Sequence, residues 1–466
     1  MRVLNAATDE QVNGRVSRIA EMKVLRAHYY FELSRLFNKI PYFDENVEIS
    51  QYPDIPNNEF TRDEILSMLA KEMLDAAEQL PASQPEVGRI HKYIALAYAA
   101  KIKLYQAYQQ DEITHAVTSI NKELLREVVS LCDQVTASNR YGLLDDFQGL
   151  DLVTNENGKE SVFAIQYSMN DGTESAGRIN WSNLLNSPGG GSPYGGDGFF
   201  LPSQDLINAY QTDANGLPDF NYQSKSDYSW AVLNNGVYTL QNTTPNVDPR
   251  LDFVVGRPTI TWKTYPDKPC EGWVRDKDTY GYNCAKRFWV SPESSDMFNG
   301  WPWGASQLNW QIIRYADILL WKAEALIELN EGNGLETARD LINQIRNRAR
   351  NSAYVKDFND HSKYAANYLV NPYPADVWNQ DYARQALRWE TRLEKALEGE
   401  RFFDLVRWGI VETTMNNYIT AESDNRIYYA NAHFTGGKDE YYPVPNNQYG
   451  FSGGKYVQNP GYAPFN

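Results

Sequence analysis

Twelve tryptophans are spread unevenly over the 466 residues. None falls in residues 1–180, and eight lie between 181 and 310: Trp181, Trp230, Trp262, Trp273, Trp289, Trp301, Trp303 and Trp310. The apolar C–H face of a sugar ring stacks on a flat aromatic surface, while its hydroxyls need Asn, Asp, Arg or backbone partners. The run from Asn299 to Gly304 reads NGWPWG, so Gly and Pro set a loop that displays Trp301 and Trp303. A second ring-rich stretch, from Trp262 to Trp289, adds Trp273, Tyr280 and Tyr282. These seven rings are the candidate ligand-facing residues; the alternative for any one of them is a place in a small local core. Residues 250–290 also carry eight Lys and Arg against five Asp and Glu. That excess either reads anionic groups on a ligand or forms a solvated face.

Catalytic chemistry finds little support. The five histidines, His28, His91, His115, His361 and His433, are scattered, and no nucleophile elbow, phosphate loop or HExxH motif occurs. Asp317 and Glu324 share a helical stripe with Ile313, Leu320 and Ile327. Carboxylates on an apolar face need paired donors, and Arg339 and Arg346 on the following helical pattern are the expected partners. The pattern therefore reads as a structural ion-pair network before it reads as a general acid/base pair. Glycoside hydrolysis needs only two carboxylates about 5 to 9.5 Å apart, so it stays as an alternative. Asp213 to Asp219 lacks the later glutamate of a calcium loop and reads as a plain turn. No cofactor or metal is expected. Cys270 and Cys284 share one loop region, as a loop-closing disulfide or as two buried thiols, and Cys132 lies on a helical pattern as a core residue.

A net charge of -16 argues against nucleic acid, whose phosphates require a basic footprint. It leaves a neutral ligand fully possible. No run approaches the roughly 20 apolar residues of a membrane span, and the N-terminus does not read as a signal peptide.

The elements that must position these rings are mostly helical. Apolar spacing predicts helices over 9–38, from the N-cap Thr61 with Glu64 completing a capping box, over 86–110 and over 120–138. Long helices with short loops suggest stacked hairpins of the tetratricopeptide kind. Gly and Pro then become frequent over 140–309, with isolated strand patterns such as 161–166, marking a loop-rich insertion. Helical patterns return at 310–329, 335–350 and 381–408, before an irregular tail. The expected fold class is mostly α, a single unit with a scaffold over 1–139, the insertion over 140–309, and further hairpins over 310–466.

Four segments, in order, resemble one family. The run from Glu21 to Pro41 (EMKVLRAHYYFELSRLFNKIP) is similar to the early "FLRAYYYF" helix of SusD/RagB proteins. Arg314 to Ala325 (RYADILLWKAEA) with Ala338 to Arg348 (ARDLINQIRNR) resembles that family's helix pair. Glu390 to Gly409 (ETRLEKALEGERFFDLVRWG) resembles its "EGxRFFDLxRWG" segment, and Tyr442 to Asn446 (YPVPN) with Gln458 to Tyr462 (QNPGY) its closing motifs. Leu206 to Gly216 and Asp248 to Leu251 add weaker agreement.

The resemblance implies a non-catalytic, surface-exposed outer-membrane lipoprotein. Such a protein binds oligosaccharide and delivers it to a SusC-like TonB-dependent transporter. The RagB branch makes peptide the alternative ligand. Family members carry a lipid-anchored cysteine and further helices ahead of the "FLRA" helix, which here starts near the N-terminus. The resemblance therefore implies a shortened front, with the anchor outside this chain.

Overall fold

The computed structural model describes residues 1–465 apart from 174–176, 187, 230, 235–236, 241–244, 266–270 and 282. Among the described residues nine principal helices order the molecule. They are α1 (Arg15–Phe37), α2 (Arg62–Gln79), α3 (Lys92–Ala107), α4 (Lys122–Ala137), α5 (Tyr315–Leu329), α6 (Gly334–Asn351), α7 (Gln380–Glu394), α8 (Arg401–Arg407) and α9 (Val411–Glu422). Each packs on its successor from α1 to α6, and α7 closes on α5 and α6. The fold is thus mostly helical, a row of stacked hairpins with five small two-stranded sheets among the described residues. About 175 residues separate α4 from α5, yet the two helices pack face to face. The intervening chain leaves the stack and returns without interrupting it.

Local chemistry accounts for the helix bounds. Thr61 accepts the Glu64 amide while the Glu64 side chain accepts the Thr61 amide, so the capping box forms as expected. Asn121 caps α4 by accepting from Glu123 and Leu124. α3 is apolar nearly all round, with Ala95, Ala97, Ala99 and Ala100 buried, so neighbours approach it from several sides. Replacing Thr61 by alanine should cost about 1 kcal/mol, read as a lower urea midpoint with unchanged slope.

Two expectations need correcting. Residues 310–314 are strand, not helix: Trp310–Arg314 (β2) pairs antiparallel with Ser161–Ile165 (β1) through Trp310↔Ile165 and Gln311↔Ala164. The helix begins only at Tyr315, where Arg314 and Asp317 form its cap. The 381–408 pattern is likewise broken between α7 and α8, where Leu397 and Gly399 take φ of 68° and 82°. Around this break Glu394 and Lys395 are buried, and Glu398 and Glu400 pair with the buried Arg287 and Arg35.

The carboxylates on α5 are buried and paired, but not by Arg339 and Arg346. Asp317 binds Lys395, and Glu324 binds Arg407 while accepting from Tyr108 at 2.6 Å and Trp408 at 2.8 Å. Arg346 instead meets Glu390 at 3.0 Å, and Arg339 lies beside Asp340 at 3.6 Å.

These pairs belong to a larger buried network. Arg314 reaches Glu160 (3.0 Å), Glu394 (2.6 Å) and Glu398 (2.9 Å); Arg250 reaches Asp248 (2.7 Å), Glu390 (2.6 Å) and Glu394 (3.1 Å). Arg348 joins Glu160 at 3.2 Å, and Arg287 bridges Asp151 and Glu398. Asp151, Glu160, Asp248, Arg250, Arg287 and Arg314 come from the chain between α4 and α5, and their scaffold partners are Arg348 on α6, Glu390 and Glu394 on α7, and Glu398 just beyond it. The network ties the insertion to the scaffold.

Candidate functional site

The hairpin around Trp301 is built from backbone bonds. Phe298 N donates to Ala305 O at 2.9 Å, Ala305 N to Pro302 O at 3.3 Å, and Asn180 N to Ser306 O at 2.8 Å. Gly300 and Gly304 take φ of +110° and +69°, conformations open to glycine at no steric cost. Pro302, which follows a cis peptide bond, is buried, while Trp301 and Trp303 on either side are 61% and 47% exposed. The proline anchors the tip and its neighbours face outward.

Neighbouring loops complete the face. Trp181, 41% exposed, meets Trp301 edge to face, with ring centroids 5.1 Å apart and planes at 84°. Trp303 lies across Gly195, where an added Cβ would sit 3.5 Å from the indole. Phe199 is exposed beside Leu185, and the Arg275 guanidinium lies 5.6 Å from its ring centre, within 3.7 Å of Asp197. Three exposed indoles thus lie at this hairpin, and the loop that continues from Gly195 carries Phe199 and the exposed Arg275–Asp197 pair. Such a surface offers stacking planes with hydrogen-bonding groups at the edge.

The second ring-rich stretch goes the other way. Trp262, Trp273 and Trp289 are 0%, 3% and 2% exposed and pack with Tyr194 and Cys284 into a small core, which removes them from the ligand-facing set. Trp262 Nε1 donates to Tyr194 Oη at 2.9 Å, and Tyr194 Oη donates to Val290 O at 2.6 Å, so the polar atoms are satisfied inside. These indoles carry the loops that the exposed indoles decorate. Trp262→Ala should therefore cost about 3 to 5 kcal/mol in chemical denaturation.

Tyr280 is half-buried, its ring centre 6.1 Å from that of Tyr428, and Tyr282 lies outside the described residues. Cys270 also lies outside them; Cys284 is buried, its Sγ 3.5 Å from Gly256 O. The basic excess over 250–290 is neither a ligand-reading face nor a solvated one at its main members. Arg250, Arg257, Lys286 and Arg287 are buried, with Arg257 on Asp252 at 2.7 Å and Lys286 donating to Asp252 O and Thr261 O.

Trp181, Phe199 and Arg275 were not singled out from sequence. The signal available was the glycine-rich run 188–198, whose turns fold back under Trp303. Among the described residues no group of three His, Cys, Asp or Glu is placed to hold a metal ion. No described helix is long and apolar enough to cross a membrane.

Stacked helix hairpins bearing a loop-rich insertion place the chain in a class of mostly helical proteins. Within that class the family model described as the SusD family matches residues 159–462, and the chain belongs to the SusD family. A SusD-like protein of Bacteroides ovatus is 23% identical over 431 residues, covering 87% of this chain, which spans 62% of that relative's length. Many solved structures share the fold, among them two glycan-related by name. Surface glycan-binding protein A of Bacteroides fluxus has a TM-score of 0.63 at 20% identity, covering 98% of this chain and 81% of its own. A laminarin binding SusD-like protein has 0.60 at 21%, covering 95% and 78%.

Proposed function

We propose that the protein binds oligosaccharide or polysaccharide on the Trp181, Trp301 and Trp303 face, without cleaving it, and passes it to a SusC-like TonB-dependent transporter at the outer-membrane surface. The observation that carries the reading is the exposure of Trp301 and Trp303 on a rigid hairpin whose intervening proline is buried. Large apolar rings held in solvent are costly unless a ligand covers them. The names of the two structural neighbours, one a laminarin binder and one a surface glycan-binding protein, support a carbohydrate ligand.

The near-perpendicular planes of Trp181 and Trp301 favour a bent glycan over a flat ribbon. Binding and handover require reversible affinity and no chemistry at the glycosidic bond. The handover is tested by co-purification: the protein expressed with a SusC-like TonB-dependent transporter of its own organism should elute with it as one complex. Separate elution of the two would refute delivery through that partner.

A further inference from the structure

A pocket of about 540 Å3 opens between the loop joining α2 to α3 (residues 80–91), the turn at Arg140 and Tyr141, and β1 with its preceding turn. It shares no residue with the tryptophan face. Its size falls within the roughly 300 to 1,000 Å3 of small-molecule sites.

The charge lining it is opposite to that of the molecule. Arg89, Arg140 and Lys159 face it against Glu86 as the one lining carboxylate, in a chain of net charge -16. Arg140 is exposed and forms no ion pair with any described residue. Lys159 meets Asp145 at 2.9 Å, a pair so exposed that water and ligand compete for it freely. Arg89 is held by Glu21 and by Glu86, the latter at 3.6 Å.

The inner wall supplies polar atoms. His91 is the N-cap residue of α3 and only 9% exposed; its side chain makes no capping bond, and Nδ1 is buried without a partner. Its Nε2 lies 3.3 Å from Tyr141 Oη. Burial, with Arg140 adding to it, pushes this imidazole down to about 4, so at neutral pH it is an uncharged hydrogen-bonding group. The N-terminus of α3 brings the positive end of a four-turn helix dipole to the same wall. Gln84, Asn157 and Gln166 line the rest with amides suited to hydroxyls.

We propose that this pocket is a second subsite, specific for the anionic group of an acidic sugar, a carboxylate or a sulfate ester. The sugar part rests on the glycan reading above; the anion part rests on the pocket alone.

The test is a titration of the full chain, by calorimetry, with glucuronate, galactose 6-sulfate, glucose and inorganic sulfate. At least one charged sugar should bind roughly tenfold or more tighter than glucose, weakening as salt rises. Which one binds tells carboxylate from sulfate. Arg140→Ala with Lys159→Ala, both exposed, should remove that preference, while Trp301→Ala with Trp303→Ala should leave it intact. No preference for either charged sugar over glucose overturns the proposal, as does a preference that survives the Arg140 and Lys159 substitutions. Binding of inorganic sulfate with neither sugar overturns the sugar assignment. Loss of polysaccharide binding on the tryptophan face, with glucuronate still bound, would count against the wider glycan reading and not against this pocket.

Discussion

Replacing Trp301 and Trp303 together by alanine should weaken polysaccharide binding about 100-fold, a loss of roughly 3 kcal/mol shared between two stacking planes. Both rings stand largely in solvent, so stability should change by no more than about 0.5 kcal/mol. Trp181→Ala, which removes the ring set edgewise on Trp301, should cost about tenfold. Affinity electrophoresis in gels carrying the bound polysaccharide reads all three. Unchanged retardation of the double variant would remove the hairpin from the site. A parallel loss of stability would instead mean that the rings are structural.

Arg314→Ala should be the most damaging substitution outside the site. It takes one of their cations from Glu160, Glu394 and Glu398, leaving them to Arg348, Arg250 and Arg287, and breaking a buried pair from one side typically costs about 3 to 5 kcal/mol. The sign of the pH dependence follows from Glu394. Burial would raise this carboxyl, but Arg348, Arg314 and Arg250 outweigh burial and hold it at about 2. A depressed carboxyl stabilises the fold above its ordinary value and loses that contribution as pH falls toward its folded value. The wild type should therefore lose stability between pH of about 4.5 and about 2. The gap to Arg314→Ala should narrow over the same window, because the variant has less ion pairing left to lose. Urea titrations of both proteins at several pH values measure this. A variant within about 1 kcal/mol of wild type at neutral pH would show that the network contributes little.

Part of this architecture could be read from residue patterns because the causes are local. A capping box at Thr61 and Glu64, an Asn cap at Asn121 and apolar spacing along α1 all act within one helical turn. The start of α5 could not, since Trp310 to Arg314 fits a helical stripe as well as a strand, and only pairing with residues 161–165 decides it. The partners of Glu324 illustrate the same limit. Arg407 and Tyr108 lie 83 and 216 residues away in sequence, whereas Arg346 is nearer and sits on the next helix.

Tryptophan density drew attention to residues 181–310 but could not divide its rings into exposed and buried. Whether an indole is platform or core depends on what backs it. Trp262 has Gly256, where an added Cβ would sit 2.2 Å from the ring, and the Tyr194 hydroxyl. Among the described residues Trp301 has a ring contact with Trp181, and it is 61% exposed. The NGWPWG segment signalled this through its glycines and proline, which hold a tip away from the body; Gly272 also precedes Trp273, yet that ring is buried, so glycine alone does not decide it. The pocket at His91 left no motif, because its cations come from three separate turns.

We propose glycan binding without processing. It is tested most directly by running the purified protein through native gels containing a panel of polysaccharides, laminarin among them, and assaying each bound mixture for new reducing ends. The account predicts retardation by at least one polysaccharide, loss of that retardation in the Trp301→Ala, Trp303→Ala variant, and no rise in reducing ends. New reducing ends released by the wild type, or binding to peptide mixtures with no retardation by any polysaccharide, would contradict it.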